Sequence, residues 1–156
     1  MGESPKSTLA VGRIQPRPRV STVRWNLKEG GGKLREPTDR NKGISNAIRE
    51  EKHQQYVRGW VNHFKLADMK GLLKTTDEWA RRRIRAVYWK QWKKIRTKYR
   101  MLKALGMEPW KAKELAGSRI GYWRMAQVLN SIFSNKIIAK LGYISLLDYY
   151  LRVCEN

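Results

Sequence analysis

A dense run of arginine, lysine and tryptophan between Trp79 and Arg100 carries the residue types best suited to bind nucleic acid. Positive side chains bind backbone phosphates, and flat aromatic rings can stack on bases or pack a core. From Arg81 to Lys113, thirteen lysines and arginines stand against one acid, Glu108. A solvated helix face normally mixes both signs, because opposite charges one turn apart stabilise each other. A bound polyanion would relieve the repulsion here, and the alternative is a merely basic, solvent-exposed surface.

We expect the positive side chains of this run, with one from the preceding helix, to contact phosphates. They are Arg58, Arg81, Arg82, Arg85, Lys90, Lys93, Lys94, Arg96, Lys98 and Arg100. Trp89 and Trp92 are three residues apart and share a helix face, so core packing is the favoured interpretation over base stacking. The same two interpretations stay open for Tyr99, Trp110, Tyr122 and Trp123.

The acidic and nucleophilic residues predict no catalytic site, no metal site and no cofactor. A two-metal nuclease or polymerase needs clustered carboxylates, and the acids here are scattered. The adjacent pairs, Glu50-Glu51 and Asp77-Glu78, lie where helix starts favour negative charge, so capping is the preferred interpretation. Two histidines and one cysteine cannot complete a tetrahedral zinc site.

Composition restricts the class of partner. The formal net charge is +21 over 156 residues, which favours a large polyanion. Nucleic acid is the first choice, a membrane surface competes, and an acidic protein is a distant third. The single cysteine, Cys154, cannot form an internal disulfide, which favours a reducing cytosolic setting. No apolar stretch approaches the roughly 18 residues that a membrane span needs.

The first long helix that must position these residues is predicted to begin at Ser45. Its apolar stripe is Val57, Trp60, Val61 and Phe64, and His53 extends the stripe by one turn and is expected to be partly buried. Gly59 inside the helix costs about 1 kcal/mol relative to alanine, which predicts a close approach by another helix.

The basic run is predicted to form a second helix with a capping box, Thr75-x-x-Glu78, at its start. This helix is expected to bury Ala80, Ile84, Val87 and either Tyr88 or Gln91. Short helices follow. Gly106 and Gly142 are predicted stops, Pro109 and Ser145 mark starts, and helices are expected over 109–116, 119–129 and 131–141. The fold class is all-α.

The chain start looks different from the rest. Residues 1–31 are rich in proline, glycine, serine and arginine and lack periodicity, so we expect a disordered or unrelated leader. A short helical piece is predicted near Lys33, stopped by Pro37.

Four segments occur in an order and spacing that resemble a known family. They are Tyr56–Phe64, Asp77–Arg85, Trp89–Thr97 and Gly121–Arg124. Together they resemble the C-terminal part of a bacterial group II intron-encoded protein, namely its maturase-specific domain X, or thumb, followed by the DNA-binding region. The resemblance covers about residues 33–153.

The resemblance implies a mechanism. Family members stabilise the folded intron RNA, which itself performs the transesterifications, and their C-terminal region contacts DNA at the insertion site. It also implies a small thumb-like helical bundle over 32–92 and a second helical, DNA-binding region over 93–156. The expected partners are group II intron RNA, target-site DNA and a separately encoded reverse transcriptase palm, in the bacterial cytoplasm, with no membrane.

The sequence departs from complete members of the family, because it carries neither the Asp-Asp pair of a polymerase palm nor an endonuclease module. We therefore expect a non-enzymatic RNA-binding maturase module, in the form of a truncated fragment or remnant. The alternatives are the thumb of a split reverse transcriptase that works with a separate palm, and a generic basic nucleic-acid-binding protein.

Overall fold

Residues 33–35 are helical and are followed by seven α-helices in the computed structural model, which describes residues 33–155. The helices are α1 (Asn46–Phe64), α2 (Lys70–Gln91), α3 (Ile95–Ala104), α4 (Pro109–Ala116), α5 (Tyr122–Val128), α6 (Asn135–Lys140) and α7 (Leu146–Glu155). A 3-10 turn, Leu129–Ser131, follows α5. Within this range there is no strand, which confirms the all-α class. The predicted leader, 1–31, lies outside the described residues.

Helix α1 begins as its sequence predicts. The Ser45 hydroxyl accepts a hydrogen bond from the Ile48 amide at 3.3 Å and caps the helix. The predicted apolar stripe is buried, and His53 is more deeply buried than expected, at 3% exposed. The prediction about Gly59 is wrong, because this residue is exposed and a Cβ built there would meet nothing within 4 Å.

Helix α2 begins at Lys70, earlier than predicted, so the capping-box assignment is wrong. The Thr75 hydroxyl lies inside the helix and donates to the Gly71 carbonyl at 3.0 Å. The reason is tertiary packing. Leu73 lies two turns before Ala80 and is fully buried in the same hydrophobic core, and this burial stabilises two further helical turns at the N-terminal end of α2. The predicted buried face is otherwise confirmed, with Tyr88 rather than Gln91 as its last member.

Two hydrophobic cores share α2, which is about 33 Å long at 1.5 Å per residue. Its first half packs with α1 and α7 in a core that includes Val57, Leu73 and Leu146. Its second half packs with α3 to α6 around Trp89 and Leu102. Both cores therefore contain residues from either side of position 92, and the boundary drawn there stays a prediction.

The short helices end and begin at the predicted signals. Gly106 and Gly142 have φ values of +96° and +100°, which a residue without a side chain adopts most easily. At the first of these, the Met107 amide bonds to the Leu102 carbonyl and the Gly106 amide bonds to the Lys103 carbonyl, both at 3.1 Å. This pair of bonds is the Schellman arrangement that terminates a helix. Helix α4 has the predicted bounds, while α5 and α6 are shorter than predicted.

None of the helices within residues 33–155 has the length and apolar content required to cross a membrane.

Candidate nucleic-acid interface

Positive and aromatic side chains from four segments meet on one surface. The segments are the loop at 38–42, the middle and end of α2, the start of α3 and the start of α5. We call it the basic-aromatic surface, and its members are Arg40, Asn41, Arg82, Arg83, Lys90, Lys93, Lys98, Tyr122 and Trp123.

Two neighbouring hollows open on this surface. One, of about 190 Å³, is lined by Arg40, Asn41, Arg83 and Trp123 among others. The second, of about 290 Å³, is lined by Trp89, Lys90, Lys93, Lys98 and Tyr122. The two are linked, because the Lys90 ammonium donates to the Asn41 amide oxygen at 2.6 Å. An extended polyanion could therefore contact both hollows.

Each exposed ring of the surface lies against an arginine. The Arg82 guanidinium carbon is 4.0 Å from the Trp123 ring centroid, and that of Arg40 is 4.9 Å from the Tyr122 centroid. Arg82 also donates from Nε and Nη2 to the Trp123 carbonyl, each at 3.3 Å. The Arg82 contacts fix the start of α5 against α2, the Arg40 contact joins α5 to the loop at 38–42, and both guanidinium groups are held at the surface.

A buried arginine positions the loop that carries Arg40 and Asn41. Arg49 is 2% exposed, and its Nη1 donates to the carbonyls of Pro37 at 2.9 Å and Asp39 at 2.7 Å. Its Nη2 donates to the Lys42 carbonyl. Three loop carbonyls thus share one guanidinium, which holds the loop against α1. Bonds from Arg83 to the Thr38 hydroxyl at 3.0 Å and from Lys90 to Asn41 join the same loop to α2.

Little negative charge offsets the basic-aromatic surface. Both salt bridges found within residues 33–155 involve Glu36, with Lys42 and Lys52, and neither includes a residue of this surface. Asp39 is the one acid that lines either hollow. The positive charge is therefore open to an external anion.

A larger groove of about 630 Å³ adjoins the surface through Arg82, and it has mixed charge. Arg81 and Arg85 line it together with acids that include Asp77 and Glu78. A phosphate chain would meet both signs there, so this groove is less suited to bind one than the basic-aromatic surface is.

Arg85 differs from the other predicted phosphate contacts. Its side chain is buried, and it donates to the Phe133 carbonyl and to the Asn135 amide oxygen, both at 2.8 Å. Burial, and next the charge of Arg81, lowers the pKa of Arg85 to about 10. The group stays charged at neutral pH, but its Nε and Nη2 donors are bound to protein acceptors, so it joins α2 to Phe133 and to the first residue of α6.

The other predicted contacts divide into two groups. Arg82, Lys90, Lys93 and Lys98 meet on the basic-aromatic surface. Arg58 is exposed on α1, Arg81 lies in the mixed groove, and Lys94, Arg96 and Arg100 are exposed at the start of α3 or along it.

Sequence reasoning missed Arg83 and Arg40. Arg83 is seven residues before Lys90, a spacing that places both on one helix face and could have indicated it. Arg40 lies in a turn, and its positive charge is the only feature of the sequence that could have indicated a phosphate contact there. The core assignment of Trp89 and Trp92 is confirmed, whereas Trp110 is exposed.

Within the described residues no group of three or more histidine, cysteine, aspartate or glutamate side chains could hold a metal ion.

A comparison with protein families identifies a match. The family described as "group II intron, maturase-specific domain" matches residues 27–106, just over half of the chain. No curated protein matches the chain. The matched range contains the loop that carries Arg40, all of α1 and α2, and α3. The chain therefore belongs to the group II intron maturase-specific domain family, which implies a group II intron RNA as its partner.

Proposed function

We propose that this protein is an RNA-binding maturase module that stabilises the folded form of a group II intron for splicing. The observation that carries the proposal is the convergence of Arg40, Arg82, Arg83 and three lysines on one surface with little opposing charge. Binding of phosphates by such a surface releases condensed counterions, which is the main source of affinity for a polyanion. A folded RNA brings phosphates from several strands close together, so a surface that binds several of them favours the folded state.

In this proposal the protein binds and does not catalyse. The resemblance to the family implies that the intron RNA performs the transesterifications. Any polymerase palm that takes part is then supplied from outside residues 33–155. We place the protein in the bacterial cytoplasm, where intron transcripts are available and where a reduced Cys154 is expected.

Contact with target-site DNA is a finer part of the same proposal. Lys94, Arg96 and Arg100 are exposed at the start of α3 or along it and are not part of the basic-aromatic surface. A second polyanion could therefore be bound there while intron RNA occupies the first surface. Substitution of these three residues by glutamine should weaken binding of duplex DNA more than binding of intron RNA.

The first test is a comparison of RNAs at matched salt. We expect a group II intron RNA to bind at least about tenfold more tightly than an unrelated structured RNA of equal length. Both RNAs offer phosphates to the positive side chains, but only an RNA whose shape fits the protein makes further contacts. The measurement is a filter-binding or anisotropy titration of both RNAs. Equal affinities would favour the generic nucleic-acid-binding alternative over a maturase module.

A further inference from the structure

Two consecutive aromatic residues, Tyr122 and Trp123, remain outside the hydrophobic cores, although the fold buries Trp60, Trp89 and Trp92. Their side chains are 37% and 40% exposed, whereas Trp89 is 2% exposed. Helix α5 reaches the core through Met125 and Ala126, one turn further along. The two rings therefore stand at the exposed start of the helix, and each lines one hollow of the basic-aromatic surface.

The surroundings of the rings suit a nucleotide. Trp123 lines the hollow that contains Arg40 and Arg83, and Tyr122 lines the hollow that contains Lys90 and Lys98. A base placed on either ring would carry its own phosphate next to positive side chains. Every base has a flat face, so such stacking accepts any sequence.

We propose that Tyr122 and Trp123 form a stacking platform for unpaired RNA bases, so that the basic-aromatic surface binds a loop, bulge or strand end rather than continuous duplex. In a duplex the faces of the bases are covered by their neighbours, and only the backbone and groove edges are available. Unpaired bases can leave the stack and lie on a protein ring. This inference rests on the proposed function, because it specifies which part of an RNA the surface takes.

The arginines on the rings fit this role. Arg82 is held by two bonds to the backbone carbonyl of Trp123 in addition to its contact with the indole ring, and these bonds do not involve the ring. It can stay beside the platform when a base arrives and bind that nucleotide's phosphate or stack on its face. Arg40 lies over the Tyr122 ring, with its guanidinium carbon 4.9 Å from the centroid.

The test uses two RNA hairpins of equal length, one with a large unpaired loop and one fully paired apart from a tight closing turn. The full-length variant Y122L/W123L keeps apolar bulk but removes both rings. We expect it to bind the looped hairpin about tenfold more weakly and the paired hairpin within about twofold of wild type. The salt dependence should not change, because no charge is removed.

Two further variants complete the design. Y122F/W123F keeps flat rings at both positions and should restore binding of the looped hairpin. W110L removes another exposed tryptophan, on α4, and should bind both hairpins as the wild type does. Circular dichroism and urea unfolding check that each variant is folded.

If Y122L/W123L lost affinity equally for both hairpins, or lost none for either, the proposed stacking platform would be wrong. The proposed function has a separate readout, since it fails when intron RNA is not preferred over unrelated RNA, whatever the rings do.

Discussion

Replacement of Asp77 by alanine is expected to destabilise the protein by about 3 kcal/mol, because it leaves three donors of another helix without their acceptor. The Asp77 carboxylate accepts from the Ser145 hydroxyl at 2.6 Å and from the amides of Leu146 at 2.8 Å and Leu147 at 3.0 Å. These groups form the start of α7, while Asp77 lies inside α2 and is 4% exposed. The residue therefore caps a helix that is distant in sequence and joins the two elements of the first core.

The charge balance at Asp77 supports a structural role. Burial raises the pKa of its carboxyl group, and the bonds from Ser145, Leu147 and Leu146 oppose that shift. We therefore expect the loss of unfolding free energy in D77A to come mainly from donors at the start of α7 that no longer have an acceptor, and not from the removal of the negative charge itself.

Urea unfolding followed by circular dichroism measures the effect. The matched control is E78A, which removes the same charge from the adjacent, exposed residue and should change the free energy of unfolding by less than about 0.5 kcal/mol. If D77A and E78A are equally stable, the cap does not contribute as described.

The second large expected effect is a loss of stability in acid that depends on His53. Burial lowers the pKa of this imidazole from 6.5 to about 4. The unfolded chain therefore binds a proton at His53 in a pH range where the folded protein does not. The contribution of His53 to the free energy of unfolding is complete above the unfolded pKa of 6.5 and is lost as the pH falls toward 4. The shift corresponds to about 3 kcal/mol between pH 7 and pH 4.

The surroundings of His53 explain why it resists protonation. The ring is 3% exposed, it meets Tyr143 edge-on at 5.4 Å between centroids, and its Nδ1 has no hydrogen-bond partner. An imidazolium there would lack both water and an acceptor at that nitrogen.

Urea unfolding at pH 7 and pH 4 tests this prediction. The difference between the two free energies should be about 3 kcal/mol smaller in H53L than in wild type. H63L, which changes the exposed histidine of the same helix, should keep the wild-type difference. An identical pH dependence in H53L and wild type would show that another group causes the acid sensitivity.

Local signals predicted the element boundaries that depend on local chemistry. Ser45, Gly106 and Gly142 satisfy or terminate a helix end through bonds within a few residues, and Pro109 starts a helix because its fixed φ suits the first helical position, so their types alone were informative. The start of α2 could not be predicted in this way, because Leu73 extends the helix through burial against other elements.

The role of Asp77 shows the same limit. Its carboxylate was expected to cap a helix, and it does, but the helix is α7 rather than its own. The partner is set by how α2 packs on α7, which no spacing within the basic run reveals.

About half of the residues of the basic-aromatic surface could be predicted from the sequence. Lys90, Lys93 and Lys98 were predicted because they share one dense positive run. The contribution of Arg40, and the placement of Trp123 over Arg82, depend on the loop clamp by Arg49 and on the packing of α5 against α2. The positive residues can therefore be identified from the sequence, whereas which of them meet on one surface is determined by the tertiary fold.

The salt dependence of RNA binding tests the central claim most directly. The variant K90Q/K93Q/K98Q removes three positive charges from the basic-aromatic surface, and K136Q/K140Q/R152Q removes three exposed charges elsewhere. Affinity for a group II intron RNA is measured over a salt series for both variants and wild type. We predict that the first variant flattens the log–log slope by about two units and the second leaves it unchanged. A wild-type slope in K90Q/K93Q/K98Q, or equal flattening in both variants, would contradict RNA binding by this surface.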